Sequence, residues 1–149
     1  MKTLNELRDL IDNGTEKQKL EASRELNNFL LAYNEEYNTL LDMEAAAETA
    51  HFKATHNEHG IDHAYRLELE ALQTKIAARK SFLDMKLRAF QHSEIGIHAP
   101  DPKTIDQVKD LADKVSKMVL KDKAVAGVIS ALADIAKIVN GTMEKSAEA

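Results

Sequence analysis

The chain contains no cysteine among its 149 residues. Disulfides, thiolate zinc sites, iron–sulfur clusters and cysteine nucleophiles are therefore excluded, and a reducing cytoplasm is the compartment we expect. Tryptophan is also absent, and only five glycines and two prolines are present. With so few residues that interrupt regular structure, the chain must run in a few long elements rather than many short ones.

Long hydrophobic runs are also missing. The longest apolar stretch, residues 124–139, includes Ser130, Asp134 and Lys137. It is too short and too polar to span a bilayer, and the first residues do not predict a secretory signal. Glycine-rich phosphate loops and Gly-x-Ser-x-Gly motifs are absent from the sequence. We therefore expect no membrane span, no cofactor and no enzymatic activity.

The net charge is −5, and it is unevenly distributed. Residues 1–60 hold 12 acidic and 6 basic side chains, whereas residues 61–100 hold 5 and 6 and residues 101–149 hold 8 and 8. This acidity disfavours nucleic acid as the main partner. The acidic first part of the chain instead complements basic side chains further along, either within the chain or between copies.

Apolar side chains recur in alternating steps of four and three between Glu16 and Thr55, a stretch without glycine or proline. We call these positions the inner seam: Ala22, Leu26, Phe29, Tyr33, Glu36, Leu40, Met43, Ala47, Ala50 and Ala54. Such a heptad repeat, typical of a coiled coil, predicts one long helix, and Leu30, Tyr37 and Leu41 widen its apolar stripe so that it faces more than one neighbour. Glu36 is the charged interruption in this repeat.

A second long helix is predicted from about Asp62 to Phe90, because Gly60 can end the first helix and Asp62 can cap the next. A short connection between two long helices predicts an antiparallel hairpin. Further along, Asp101 and Pro102 predict the start of a C-terminal helix. Its apolar repeat runs through Asp122, and the pattern favours one continuous helix over a break at that residue.

The sequence thus predicts a single all-α domain, an elongated helical bundle with a long antiparallel hairpin turning near Gly60 and a long C-terminal helix. The predicted segments are a short N-terminal helix at 1–14, the hairpin at 15–91, an irregular connection at 92–102, the C-terminal helix at 103–141 and a frayed tail at 142–149. Its first long helix would reach about 60 Å. So extended a shape favours oligomerisation.

Four of the six histidines, His51, His56, His59 and His63, fall close together around the predicted turn. Imidazoles with carboxylates nearby are suitable ligands for zinc or a similar metal. The alternative is an exposed polar turn that binds no metal, and this is the interpretation we prefer. The metal site is kept as a competing hypothesis.

Two further sets of residues are candidate interaction sites. Lys75, Arg79 and Lys86 make the second half of the hairpin's second helix basic, which would suit an acidic partner or a phosphate backbone, although a salt-bridged face is the simpler explanation. The C-terminal helix is apolar on nearly every side around Val125, Ile129 and Leu132. Since such a helix is normally enclosed, another copy of the chain is its expected partner.

The leading functional hypothesis is therefore a non-enzymatic protein–protein interaction protein: an oligomeric helical scaffold, an adaptor, or an inhibitor of another protein. Its partner would be itself, another protein, or both. The first alternative is a metal-binding helical bundle that uses the histidine-rich turn. The second is a nucleic-acid-associated protein that uses the basic helix face, and the overall acidity ranks it last.

Overall fold

The computed structural model describes residues 1–56, 60–118 and 124–143. Five helices make up most of these ranges, and the predicted all-α class is confirmed. The helices are α1 (Leu4–Asn13), α2 (Glu16–Thr55), α3 (His63–Gln91), α4 (Pro102–Lys117) and α5 (Val125–Asn140), with two short strands, β1 (Lys2–Thr3) and β2 (Gly96–Ile97). Within the described ranges, none of the helices has both the length and the apolarity to cross a bilayer.

Helix starts follow from local side-chain chemistry. The first turn of α2 is closed by a capping box, in which the Thr15 hydroxyl accepts from the Gln18 amide and the Gln18 side chain accepts from the Thr15 amide. Asp101 caps α4 by accepting from the Thr104 amide, and Pro102 occupies the first turn, where no amide donor is needed. This hydrogen bond holds the pKa of Asp101 below its usual value.

The hairpin of α2 and α3 is antiparallel, as predicted, and its turn passes through Gly60. That glycine has a φ of +103°, a left-handed conformation that side chains rarely adopt. Aromatic residues fill the end of the hairpin far from the turn, where the rings of Phe29 and Phe90 lie 5.1 Å apart. The Tyr33 hydroxyl donates to the Leu83 carbonyl at 2.9 Å, which ties the two helices together inside the core.

The predicted continuous C-terminal helix over 103–141 is wrong. Helix α4 ends at Lys117, Met118 has extended backbone with a ψ of 132°, and α5 begins only at Val125. The two helices pack against each other, so each turns its apolar side inward. An alternating repeat satisfies both arrangements equally, which is why its continuity misled the prediction. Asp122, the possible cap, lies outside the described residues.

The four longer helices alternate in direction. Asn28 of α2 donates to the Pro100 carbonyl just before α4, while Met43 of α2 and Ser116 near the end of α4 border one shallow cleft. Helix α4 therefore runs parallel to α2, and α5 returns antiparallel to it. The result is an up-down-up-down bundle, with α1 packed against α2.

A small strand assembly holds one end of the bundle. In β1 and β2, Lys2 pairs with Ile97 antiparallel, and Ile97 also bridges Met143, which follows α5. The His98 amide donates to the Thr142 carbonyl at 2.7 Å, and Thr142 is buried. The connection predicted as irregular therefore contains a strand. The tail predicted as frayed from residue 142 is ordered through residue 143, and residues 144–149 lie outside the described ranges.

The core predicts a sharp contrast between two leucines of α3. Leu69 is fully buried, whereas Leu67 is 58% exposed. We expect Leu69→Ala to lower the free energy of unfolding by about 2–5 kcal/mol, since it removes buried methyl groups and leaves a cavity. Leu67→Ala is the matched control and should change it by less than about 0.5 kcal/mol. Urea unfolding followed by far-UV circular dichroism measures both, and equal effects would contradict this core assignment.

Candidate functional site

The most deeply buried charge in the described residues belongs to Glu36, whose side chain is 1% exposed. Arg79 meets it through two parallel hydrogen bonds, from Nε to Oε2 and from Nη2 to Oε1, each 2.7 Å long. The same guanidinium donates to Asn140 Oδ1 at 2.7 Å and to the Ala136 carbonyl at 3.3 Å. One arginine of α3 thus holds both α2 and the end of α5.

Arg79 is therefore a structural residue and not part of a free basic face. Its position was legible in the sequence, because it lies three residues after Ile76 and four before Leu83, within the buried repeat of α3. Glu36 interrupts the inner seam of α2 in the same way. Two opposite charges that interrupt two facing seams are the signal of a buried pair.

Tyr33 lies one turn before Glu36 in the same seam and is almost fully buried. Burial, together with the nearby negative charge of Asp84, raises the pKa of its hydroxyl to about 12. Because the protonated phenol donates to the Leu83 carbonyl, the folded state needs Tyr33 in its neutral form. The Tyr33 hydroxyl therefore stays protonated at any pH well below 12.

Most of the remaining basic side chains of α3 contact other side chains of the same chain. Lys80 forms an ion pair with Glu44 at 3.1 Å, and this hydrogen bond raises the pKa of the lysine. The Lys86 ammonium lies 5.5 Å from the centre of the Phe82 ring. Lys75 is exposed. The acidic first part of the chain is thus the complement of much of this basic segment.

The predicted metal-ligand histidines that lie in the described ranges each make their own contacts. His51 Nε2 lies 3.1 Å from Glu70 Oε1, whereas the His56 ring stacks on Phe52 with its Nδ1 2.9 Å from the Phe52 carbonyl. His63 begins α3 and is exposed. Across the described ranges no three potential ligands come together. His59 lies outside them, so the metal site stays a prediction.

The apolar residues of α5 mostly face the core of their own chain. Val125 and Leu132 are buried, and Ile129 is half-buried. The side chains of α2, α3 and α4 provide the enclosure that we expected from a second copy. An open cleft of about 210 Å³ remains beside Ile129, lined largely by apolar residues with Lys75 at its edge. This volume is below the usual range for ligand pockets, about 300–1,000 Å³.

A second heptad repeat runs along the opposite side of α2 from the inner seam. We call it the outer stripe, and it consists of ten residues: Leu20, Arg24, Asn27, Leu31, Asn34, Asn38, Leu41, Ala45, Glu48 and Phe52. At 3.6 residues per turn these positions fall within an arc of about 120°. All ten are exposed, and the two end residues, Leu20 and Phe52, are 60% and 62% exposed.

The chemistry of the outer stripe differs from that of an ordinary solvated helix face. Charged residues make up 30% of the chain, yet none of the stripe positions from Asn27 to Ala45 carries a charge. The large apolar members, Leu20, Leu31, Leu41 and Phe52, recur every ten or eleven residues, which is about three turns apart on the same helix face. Asparagine occupies three central positions, where a polar residue in a coiled coil sets register. The stripe has the pattern of a helix-docking surface.

Comparisons of this chain with protein-family models, with curated proteins and with solved structures find no match.

Breaking the buried ion pair should be costly. We expect Arg79→Met to lower the free energy of unfolding by about 3–5 kcal/mol, because the Glu36 carboxylate would remain buried without its partner. The double variant Glu36→Leu/Arg79→Met should recover most of this loss, since it leaves no buried charge. Urea unfolding of all variants measures the cycle.

The control for that cycle is Lys80→Met, which removes a more exposed cation of the same helix. Its unfolding midpoint should stay close to that of the unmodified chain. A double variant no more stable than Arg79→Met alone would contradict the buried-pair assignment.

The Tyr33 hydroxyl predicts a pH-dependent loss of stability. Between the unfolded pKa of 10.0 and the folded value of about 12, the unfolded chain releases this proton while the folded chain retains it. The stabilisation by Tyr33 is therefore complete below pH 10 and falls as pH rises towards 12. We expect the stability difference from Tyr33→Phe, about 1 kcal/mol at pH 8, to fall over this window and to change sign before pH 12, because each pKa unit corresponds to about 1.4 kcal/mol.

Thermal melts of both proteins between pH 8 and 12 measure this difference, and the difference between their titrations at 295 nm isolates the Tyr33 phenol from the other two tyrosines. A constant difference across the window would contradict the burial-raised pKa.

Proposed function

We propose that this protein is a non-enzymatic interaction protein that docks other helices on the outer stripe of α2. The observation that carries the proposal is an exposed helix face that combines leucines with a long stretch free of charge. All ten positions are exposed, and the central six, from Asn27 to Ala45, carry no charge in a chain that is 30% charged. A helix face that only meets water has no need of a period or of regularly placed leucines.

The inner seam supports this proposal because it leaves α2 rigid. Phe29, Tyr33 and Leu40 are buried along it, and the Glu36–Arg79 pair anchors its centre. A docking helix that is already ordered loses little conformational entropy when it binds a partner. The outer stripe is thus presented along about 48 Å of preformed helix.

The setting that we propose is a reducing cytoplasm, which a cysteine-free chain suits. Nucleic-acid binding has less support than docking, because Arg79 and Lys80 are paired within the chain. Binding through α5 also has less support, because Val125 and Leu132 are buried in the chain's own core. Of these three surfaces, the outer stripe is the least involved in contacts within the chain.

Site-specific photo-crosslinking in the cells that make the protein tests the proposal. The photoreactive residue p-benzoylphenylalanine replaces Asn38, at the centre of the stripe, or Lys109, an exposed residue of α4 that serves as the matched control. We expect one defined adduct from position 38 and none from position 109. Mass spectrometry then identifies the crosslinked polypeptide.

A second variant shows whether the adduct depends on the stripe. Leu31→Glu/Leu41→Glu, added to the position-38 chain, places charges where a docked helix needs apolar contact, so the adduct should disappear. Circular dichroism of the variant checks that it folds, since both leucines are partly exposed. Equal adducts from positions 38 and 109, or an adduct that survives the leucine changes, would refute the docking proposal.

A further inference from the structure

The outer stripe has an internal symmetry that identifies its partner. We infer that two copies of this chain pair through their outer stripes as an antiparallel α2–α2 dimer, with the two-fold axis at the level of residue 36. This inference rests on the proposed docking function and adds the identity and the orientation of the docked helix. It follows from which residues would face each other across that axis.

Near the axis, each residue faces a residue of the same type. An antiparallel pairing about residue 36 places Asn34 of one copy opposite Asn38 of the other, and Leu31 opposite Leu41. An asparagine amide both donates and accepts, so two asparagines satisfy each other across a helix interface. Leucine opposite leucine gives apolar contact in the next layer. Each contact occurs twice, because a two-fold interface repeats every pair.

Further from the axis, opposite charges meet. The same register places Arg24 opposite Glu48, and Leu20 opposite Phe52. Arg24 and Glu48 are the two charged members of the stripe, both are exposed, and neither forms an ion pair among the described residues. A register that joins two charges of opposite sign, and buries apolar ends on each other, is what self-recognition of one surface requires.

A parallel pairing is much less favourable. It would place Arg24 against Arg24, and Glu48 against Glu48, so each charge would meet its own sign. One like-charge contact also arises in the antiparallel arrangement, where Glu35 at the edge of the stripe approaches its own copy near the axis. Glu35 lies at the rim beside α4 and faces an open cleft, so water and salt screen it.

Charge exchange tests the pairing, with sedimentation velocity over a concentration series as the measurement. The unmodified chain should form a dimer. Arg24→Glu and Glu48→Arg should each weaken self-association about tenfold or more, because two like-charge pairs replace two ion pairs. An equimolar mixture of the two variants should dimerise again, because every charge then meets its opposite. Arg88→Glu, on an exposed position of α3, is the matched control and should leave association unchanged.

Engineered cysteines test the register, because the unmodified chain has no cysteine of its own. Asn34→Cys mixed with Asn38→Cys should yield mainly the mixed disulfide, since the antiparallel register brings these positions together. Predominant disulfides between identical variants would overturn the antiparallel arrangement. A mixture of the charge variants that stays monomeric would overturn the pairing.

The two proposals fail in different ways. An unmodified chain that is monomeric at every concentration would overturn the self-pairing, and the adduct from position 38 would then be a different protein if the docking function holds. A monomeric chain that also gives no adduct would overturn both. An adduct between two copies of this chain supports both.

Discussion

The bundle depends on how a carboxylate and a guanidinium are accommodated where water is excluded. Glu36 is as deeply buried as Leu40 of the same seam, and a buried carboxylate is stable only with a partner of fixed geometry. The planar guanidinium of Arg79 binds both carboxylate oxygens, and it also donates hydrogen bonds to Asn140 and Ala136 of α5. Because both oxygens and both nitrogens must align, the relative positions of α2, α3 and the end of α5 are determined together.

This constraint gives α2 two distinct faces. Its inner seam is held by packing and by the ion pair, so the orientation of the helix about its own axis is fixed. The opposite face is consequently fixed as well, and the ten positions of the outer stripe point away from the core as one surface. Apolar packing alone would allow small rotations, whereas a bidentate ion pair has one favourable geometry. The orientation of the exposed surface thus derives from a contact on the buried side.

Much of the fold could be predicted from periodicity. The heptad of α2 and the turn at Gly60 are local features with local causes, and the structure confirms them. The break after Lys117 could not be predicted, because burial imposes the same repeat on one helix and on two. The strand pair of β1 and β2 is also beyond periodicity, since two residues do not make a pattern.

The candidate site was less accessible from sequence. Charge alone groups Arg79 with Lys75 and Lys86, and only its phase in the apolar repeat of α3 separates it from them. Phase relative to Ile76 and Leu83 would have placed it inward. The outer stripe was missed because Asn27, Asn34 and Asn38 resemble solvated residues individually. Its second heptad phase and its lack of charge become informative only when the buried face is known.

Ile97 has a consequence for how the chain comes together. It bridges Lys2 on one side and Met143 on the other, so one residue joins segments that are far apart in sequence. Closing the long loop between Lys2 and Ile97 costs entropy before any contact is gained, whereas the hairpin contacts near the turn, such as His51 with Glu70, form between nearer neighbours. We expect folding to proceed outward from the hairpin and to end at this strand. In hydrogen exchange the His98 amide should therefore open sooner than amides in the middle of α2.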